Sequence, residues 1–81
     1  MQAFLEFVLR YLVDFPEEVV VTRVQKEKGT LFELRMRPSD VGKVVGKQGQ
    51  TIAAIRNVLN AAVPRGGDRV ELEIVEPREG A

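Results

Sequence analysis

The spacing of apolar residues in the first part of the chain predicts one helix followed by a hairpin. At 100° per residue, a helix over residues 2–14 collects most of the large apolar side chains on one side and charged ones opposite. The apolar side consists of Phe4, Phe7, Val8, Tyr11, Leu12 and Phe15. Residues 19–26 are rich in β-branched side chains, and residues 30–37 alternate between apolar and charged ones, as strands do. Gly29 is expected to supply the positive φ of the turn between them.

The second part of the chain predicts two helices and a last strand. Ser39 is expected to cap the free N–H groups of a short helix, and Asp40 suits the positive end of its dipole. A longer helix is predicted from about residue 50 to residue 63, and Pro64 ends it. Residues 69–75 alternate again and are expected to form a strand.

The predicted order of elements is α-β-β-α-α-β, which defines an α+β fold. Because two helices join the strands at 30–37 and 69–75, these strands are expected to lie parallel, with a right-handed crossover. The result is a three-stranded mixed sheet with helices packed on one face. Because 81 residues leave room for one core, we predict a single domain over residues 1–76 and a frayed end over residues 77–81.

The composition excludes several classes of function. Apolar residues make up 44% of the chain and charged residues 30%, which is typical of a folded domain. The chain has no Cys for disulfides or zinc thiolates and no His, the usual general base near neutral pH. No nucleophile and base can be paired, so we expect no catalytic site, cofactor or metal. Charges such as Glu6 and Arg10 interrupt the first apolar run, so we expect no targeting leader and a cytoplasmic protein.

A net charge of zero conceals a basic middle segment. Residues 35–65 hold six basic residues and one acid, for a net charge of +5, and the remainder of the chain carries −5. The basic residues are Arg35, Arg37, Lys43, Lys47, Arg56 and Arg65. This segment favours an anionic partner, which the overall charge would not suggest.

Two glycines three residues apart lie between the two later helices. Without Cβ atoms, Gly46 and Gly49 let a sugar-phosphate strand approach the backbone, and the start of the next helix offers free N–H groups to a phosphate. Lys47 adds a cation between them. The spacing fits neither a P-loop nor a dinucleotide-binding fingerprint. From the glycines alone, a tight corner between helices is as good an interpretation.

Residues 44–52 resemble the KH-domain signature, with an apolar pair, a G-x-x-G loop and an apolar residue three positions later. The order of elements is that of type II KH domains, so the resemblance covers residues 2–75. It implies that Gly46, Lys47, Gln48 and Gly49 contact the backbone of about four nucleotides of single-stranded RNA, with the bases in a groove beside the loop.

Neighbouring residues have two interpretations each. Val45 and Ile52 either line the groove or only pack in the core. Lys43 and Arg56 either bind phosphate or belong to a solvated helix face. Arg35 and Arg37 are weaker candidates, because they are expected on the sheet side remote from the helices. The aromatic side chains are expected to be buried, which disfavours a platform that stacks bases.

Two apolar surfaces are candidates for self-association, although ordinary surface or peripheral core is an alternative for both. The first helix leaves Leu9 and Val13 beside its main apolar side. The helix from residue 50 leaves Ala54, Val58 and Ala61. The family resemblance favours the second set, since it implies homodimers and pairing with a larger KH-containing protein.

Taken together, these features predict a non-catalytic module that binds single-stranded RNA and acts as an RNA chaperone or post-transcriptional regulator. Two alternatives stay open. One is an adaptor whose main role is dimerisation. The other is a binder of single-stranded DNA, which only contacts to the 2′-hydroxyl distinguish.

Overall fold

The computed structural model describes residues 1–64 and 66–75. Its elements, in chain order, are α1 (Gln2–Leu12), β1 (Val20–Lys26), β2 (Gly29–Arg35), α2 (Pro38–Val45), α3 (Gln50–Ala61) and β3 (Arg69–Ile74), with 3-10 turns at Pro16–Glu18 and Lys47–Gly49. The predicted order of elements is confirmed. The predicted end at residues 77–81 lies outside the described residues. Within the described part of the chain, no helix is both long enough and apolar enough to cross a bilayer.

The three strands form one sheet in the order β1-β2-β3. β1 and β2 are antiparallel, with Val20 opposite Arg35, and β2 and β3 are parallel, with Leu34 opposite Ile74. α2 and α3 make the connection between the parallel strands. This mixed sheet and its element order confirm the predicted α+β fold of a type II KH domain.

The core lies between the sheet and the helices. Its buried apolar residues are Leu5, Leu9, Val13, Val19, Val21, Phe32, Leu34, Met36, Val44, Ile55, Leu59 and Val70. Ile55 and Leu59 of α3 are buried in this core, and the partly buried Ile52 packs against it. Alternation in β2 is also correct, with Phe32 and Leu34 turned inward.

The predicted apolar side of α1 is wrong for its aromatic residues, although Val8 and Leu12 of that side do pack against the core. Leu5, Leu9 and Val13, spaced four apart, are buried, whereas Phe7 is 69% and Tyr11 83% exposed. Because this helix is apolar around most of its circumference, periodicity finds two stripes, and the compact aliphatic stripe is the one that packs against the sheet. Leu9 and Val13 are therefore unavailable for the self-association that the sequence suggested. The expected burial of the aromatic residues is likewise wrong for this helix, where Phe4 is also exposed.

Two local predictions are corrected by backbone geometry. Gly29 does not have positive φ and lies within β2, where an added Cβ would come within 2.5 Å of the Arg69 carbonyl oxygen of β3. Position 29 requires glycine because β3 passes close to the backbone there, and not because of the turn. Ser39 makes no capping hydrogen bond, because α2 begins at Pro38 with Arg37 in the cap position.

Asp40 ties the end of α1 to the start of α2. Its side chain is fully buried, and its two carboxylate oxygens accept hydrogen bonds from the backbone N–H groups of Asp14, at 3.2 Å, and Phe15, at 3.1 Å. A buried carboxylate is stable when such donors satisfy it. Asp40 thus fixes the helix that leads into the glycine loop.

Candidate nucleic-acid interface

The loop between α2 and α3 has a backbone that reverses direction within four residues. The N–H of Gly46 closes α2 by donating to the Gly42 carbonyl at 2.9 Å, and Gly46 then adopts φ 77° and ψ 176°. Gln48 and Gly49 follow with φ of 55° and 75°. Three positive φ values in four residues give a shape that most sequences avoid.

The two glycines meet different physical requirements. A Cβ on Gly46 would lie 2.6 Å from the Cβ of Thr51 and 2.9 Å from its backbone nitrogen, so Gly46 is needed for packing inside the corner. A Cβ on Gly49 would meet no atom within 4 Å. The backbone at Gly49 is therefore bare toward the open side, where a strand of nucleic acid can approach.

The residues between the glycines are exposed. Lys47 and Gln48 both point to solvent, as does Arg56 one and a half turns into α3. Within residues 1–64 and 66–75, neither Lys47 nor Arg56 forms an ion pair. Gln48 holds a left-handed conformation that costs a residue with a Cβ about 1 kcal/mol, and such strain concentrates at ligand-binding loops.

The first turn of α3 opens directly onto this loop. Gly49 is its cap residue, and no described side chain caps the helix. The initial N–H groups of a helix have no acceptor in the helix itself, and they carry the positive end of its dipole. This end of α3 is thus suited to an anionic oxygen.

Lys43, the predicted phosphate contact nearest to the loop, is already engaged. Its Nζ lies 3.1 Å from Asp14 Oδ2 and 3.7 Å from Asp40 Oδ1. The hydrogen bond and the charge of Asp14 raise the pKa of Lys43, with a smaller contribution from Asp40. Lys43 and Lys47 therefore differ, although both were candidates for phosphate binding.

The other candidate RNA-binding residues differ in how far they are exposed. Val45 is half-buried at the end of α2, and Ile52 is half-buried against the core. Arg35 pairs with Glu33 at 3.5 Å on the exposed side of the sheet.

Arg37 is held from two sides. Its Nε donates to Glu18 at 2.8 Å, and its guanidinium lies 3.6 Å from the centre of the Phe15 ring. The hydrogen bond that Arg37 donates to the Glu18 carboxylate raises the pKa of Arg37.

The candidate self-association residues of α3 share an exposed face. Ala54, Val58 and Ala61 are all exposed, and Val58 is 54% exposed. Their role stays a prediction.

Two residues of this region were not identified from the sequence. Thr51 lies against Gly46 and makes a glycine necessary there, and Asp14 neutralises Lys43. Thr51 lies within the signature at residues 44–52, two residues after Gly49, so the sequence alone indicated that it is close to the loop. Asp14 is far from Lys43 along the chain, and no local pattern connects the two residues.

Comparisons with known proteins agree with this architecture. Residues 2–74 match the family described as KhpA/KhpB, KH domain. The chain is 42% identical over 78 residues to RNA-binding protein KhpA of Chlamydia pneumoniae, covering 96% of this chain and 100% of that protein. It is 44% identical over 75 residues to RNA-binding protein KhpA of Clostridium acetobutylicum and 40% identical over 75 residues to that of Oceanobacillus iheyensis, each match covering 93% of this chain and 100% of the relative. The chain therefore belongs to the KhpA/KhpB family of KH domains.

Proposed function

We propose that this protein binds the backbone of single-stranded RNA on the loop Gly46–Gly49 and acts, without catalysis, as a cytoplasmic RNA chaperone or post-transcriptional regulator. The relatives named RNA-binding protein KhpA support an RNA partner. The observation that carries the site is the bare backbone at Gly49 beside the exposed Lys47, which has no ion pair among the described residues. In this proposal, Lys47 binds phosphate together with backbone N–H groups of the loop and of the first turn of α3, other than those that donate to carbonyl groups of the chain, as the N–H groups of Gly46 and Gly49 do. Val45 and Ile52 contact bases.

The direct test reverses the charge of the loop. Replacing Lys47→Asp together with Gln48→Asp places two carboxylates where phosphate would lie, so binding of a short unstructured RNA should be abolished. Fluorescence anisotropy measures the affinity, and circular dichroism checks that the fold and its melting temperature stay nearly unchanged, since both side chains are exposed. Undiminished binding by the double variant would refute the proposed site.

A matched lysine separates a local effect from net charge. Lys28→Asp, in the β1–β2 turn, changes the charge by the same amount as Lys47→Asp, and Lys28 is also exposed. We expect Lys47→Asp to weaken binding much more than Lys28→Asp. Equal losses would mean that overall charge, and not the loop, determines affinity. The salt slope should be shallow, at about −0.7 for each neutralised phosphate of a single strand.

Self-association through α3 is a second candidate role, favoured by the exposed Val58 between Ala54 and Ala61. A homodimer, or a heterodimer with a larger KH-containing protein such as KhpB, would join two weak RNA sites and raise avidity. Val58→Asp should then give a monomer by light scattering. If the monomeric variant binds RNA as well as the unaltered protein, dimerisation does not support RNA binding. Matched RNA and DNA oligonucleotides in competition would test the alternative of a DNA partner.

A further inference from the structure

Two lysines near the loop differ in their surroundings. Lys43 lies three residues before Gly46, and its side chain contacts the carboxylates of Asp14 and Asp40. Lys47 has no such contact among the described residues. Lys43, whose charge is neutralised by carboxylates, and Lys47, which is free to bind an anion, are thus only four positions apart.

The Asp14 carboxylate is held in place by the fold but remains reachable from solvent. Its backbone N–H is fixed by the buried Asp40 carboxylate, the same group that lies 3.7 Å from Lys43. Its own side chain is 66% exposed, and that of Lys43 is 44% exposed. Since an exposed ion pair is worth little free energy, another anion can replace Asp14 at small cost.

We propose that Asp14 competes with RNA phosphate for Lys43 and so lowers, without abolishing, the contribution of Lys43 to RNA affinity. This inference rests on the proposed function. The Asp14 carboxylate occupies a place on Lys43 that a phosphate oxygen, also anionic, would otherwise take. RNA then binds mainly through Lys47 and the loop backbone, and Lys43 contributes only when Asp14 is displaced.

The test is Asp14→Asn, which removes the charge and keeps the shape. Lys43 loses its nearer partner and keeps only the contact with the buried Asp40 at 3.7 Å, so it can bind one more phosphate. The salt slope for single-stranded RNA should then steepen by about 0.7. The affinity should rise about fivefold at 0.1 M salt, with the gain vanishing near 1 M. A structural role for Asp14 would change the melting temperature without changing this slope.

Two controls make the result specific. Glu27→Gln in the β1–β2 turn removes the same charge from an exposed site and should change neither affinity nor slope appreciably. In a Lys43→Gln background, Asp14→Asn should gain nothing. A gain that persists without Lys43, a gain matched by Glu27→Gln, or no gain at all would overturn the inference.

These outcomes are distinct from failure of the proposed function. If the unaltered protein binds RNA and Lys47→Asp weakens that binding more than Lys28→Asp does, the site stands whatever Asp14→Asn does. If the unaltered protein does not bind RNA in low salt, or Lys47→Asp has no effect, the proposed site and the role of Asp14 are both refuted.

Discussion

The two ends of α2 use charged side chains in opposite ways. At the N-terminal end, Asp40 is buried and accepts two backbone hydrogen bonds, and Arg37 is bound to Glu18 and Phe15. At the C-terminal end, Lys47 and the bare backbone of Gly49 face solvent. Groups that hold the fold together have partners within the chain, whereas those proposed to bind RNA are left open to a ligand. Only six residues lie between Asp40 and Lys47, yet mutations at the two should affect different properties.

The largest effect on stability is expected at Asp40. Asp40→Ala leaves the partly buried N–H groups of Asp14 and Phe15 without their acceptors and empties a fully buried position, which should lower the free energy of unfolding by about 3 kcal/mol. Urea denaturation followed by circular dichroism measures the loss. Asp40→Asn, which keeps one carbonyl oxygen as an acceptor, should lose about half as much. Ser39→Ala, beside it but without a capping bond, should change stability by less than about 0.5 kcal/mol.

The second-largest loss of stability, nearly equal to the first, is expected at Gly46. Although Gly46 lies at the other end of α2, it packs against Thr51. Gly46→Ala introduces a Cβ against Thr51 and forces a residue into a backbone region that only glycine occupies readily. The expected loss is about 3 kcal/mol. Gly42→Ala is the matched control, since Gly42 is helical and has open space around it, and it should stabilise the protein by about 0.5–1 kcal/mol. Equal effects of the two substitutions would contradict this account of the corner.

Gly49 should show a smaller effect on stability. The Cβ introduced by Gly49→Ala meets no other atom, so only the left-handed conformation lowers the free energy of unfolding, by about 1 kcal/mol. Asn tolerates that conformation better, so Gly49→Asn should recover part of the loss. In both variants the fall in RNA affinity should exceed what the stability loss explains, because a side chain now covers the open backbone. If both variants bind RNA as the unaltered protein does, the open face of Gly49 is not the contact.

The contrast between the ends of α2 also shows what the sequence could predict. The position of the glycine loop between two helices was predicted correctly because its signal is local, with both glycines and Lys47 within four residues. The buried role of Asp40 was not predicted, because its partners lie on the loop after α1, more than twenty residues away. Ser39 was assigned the cap on residue type alone, and the fixed φ of Pro38 instead started the helix two residues earlier, with Arg37 as the cap.

The pairing of the strands could be predicted from the sequence, whereas the packing of α1 against the sheet could not. The order and the parallel pairing of the strands follow from element lengths and the crossover, so both were predictable. Which stripe of α1 faces the sheet depends on how side chains fit the partner surface, and the pattern of residues 2–14 contains two apolar stripes. Gly29 was misjudged for a similar reason, because its constraint comes from Arg69 on another strand.

The smallest expected effect is the response of Lys43 to alkaline pH. Its carboxylate partners raise its pKa above the ordinary lysine value, so the charged form is favoured in the folded protein. The stabilisation from this ion pair is therefore fully present below the ordinary lysine pKa and is lost as pH rises through the higher folded value. An NMR titration of the Lys43 side chain should show its midpoint move down in Asp14→Asn, because Asp14 makes the largest contribution. If the midpoint is the same in both proteins, the contact between Lys43 and Asp14 is not maintained in solution, and the reason for Lys43 and Lys47 to differ disappears.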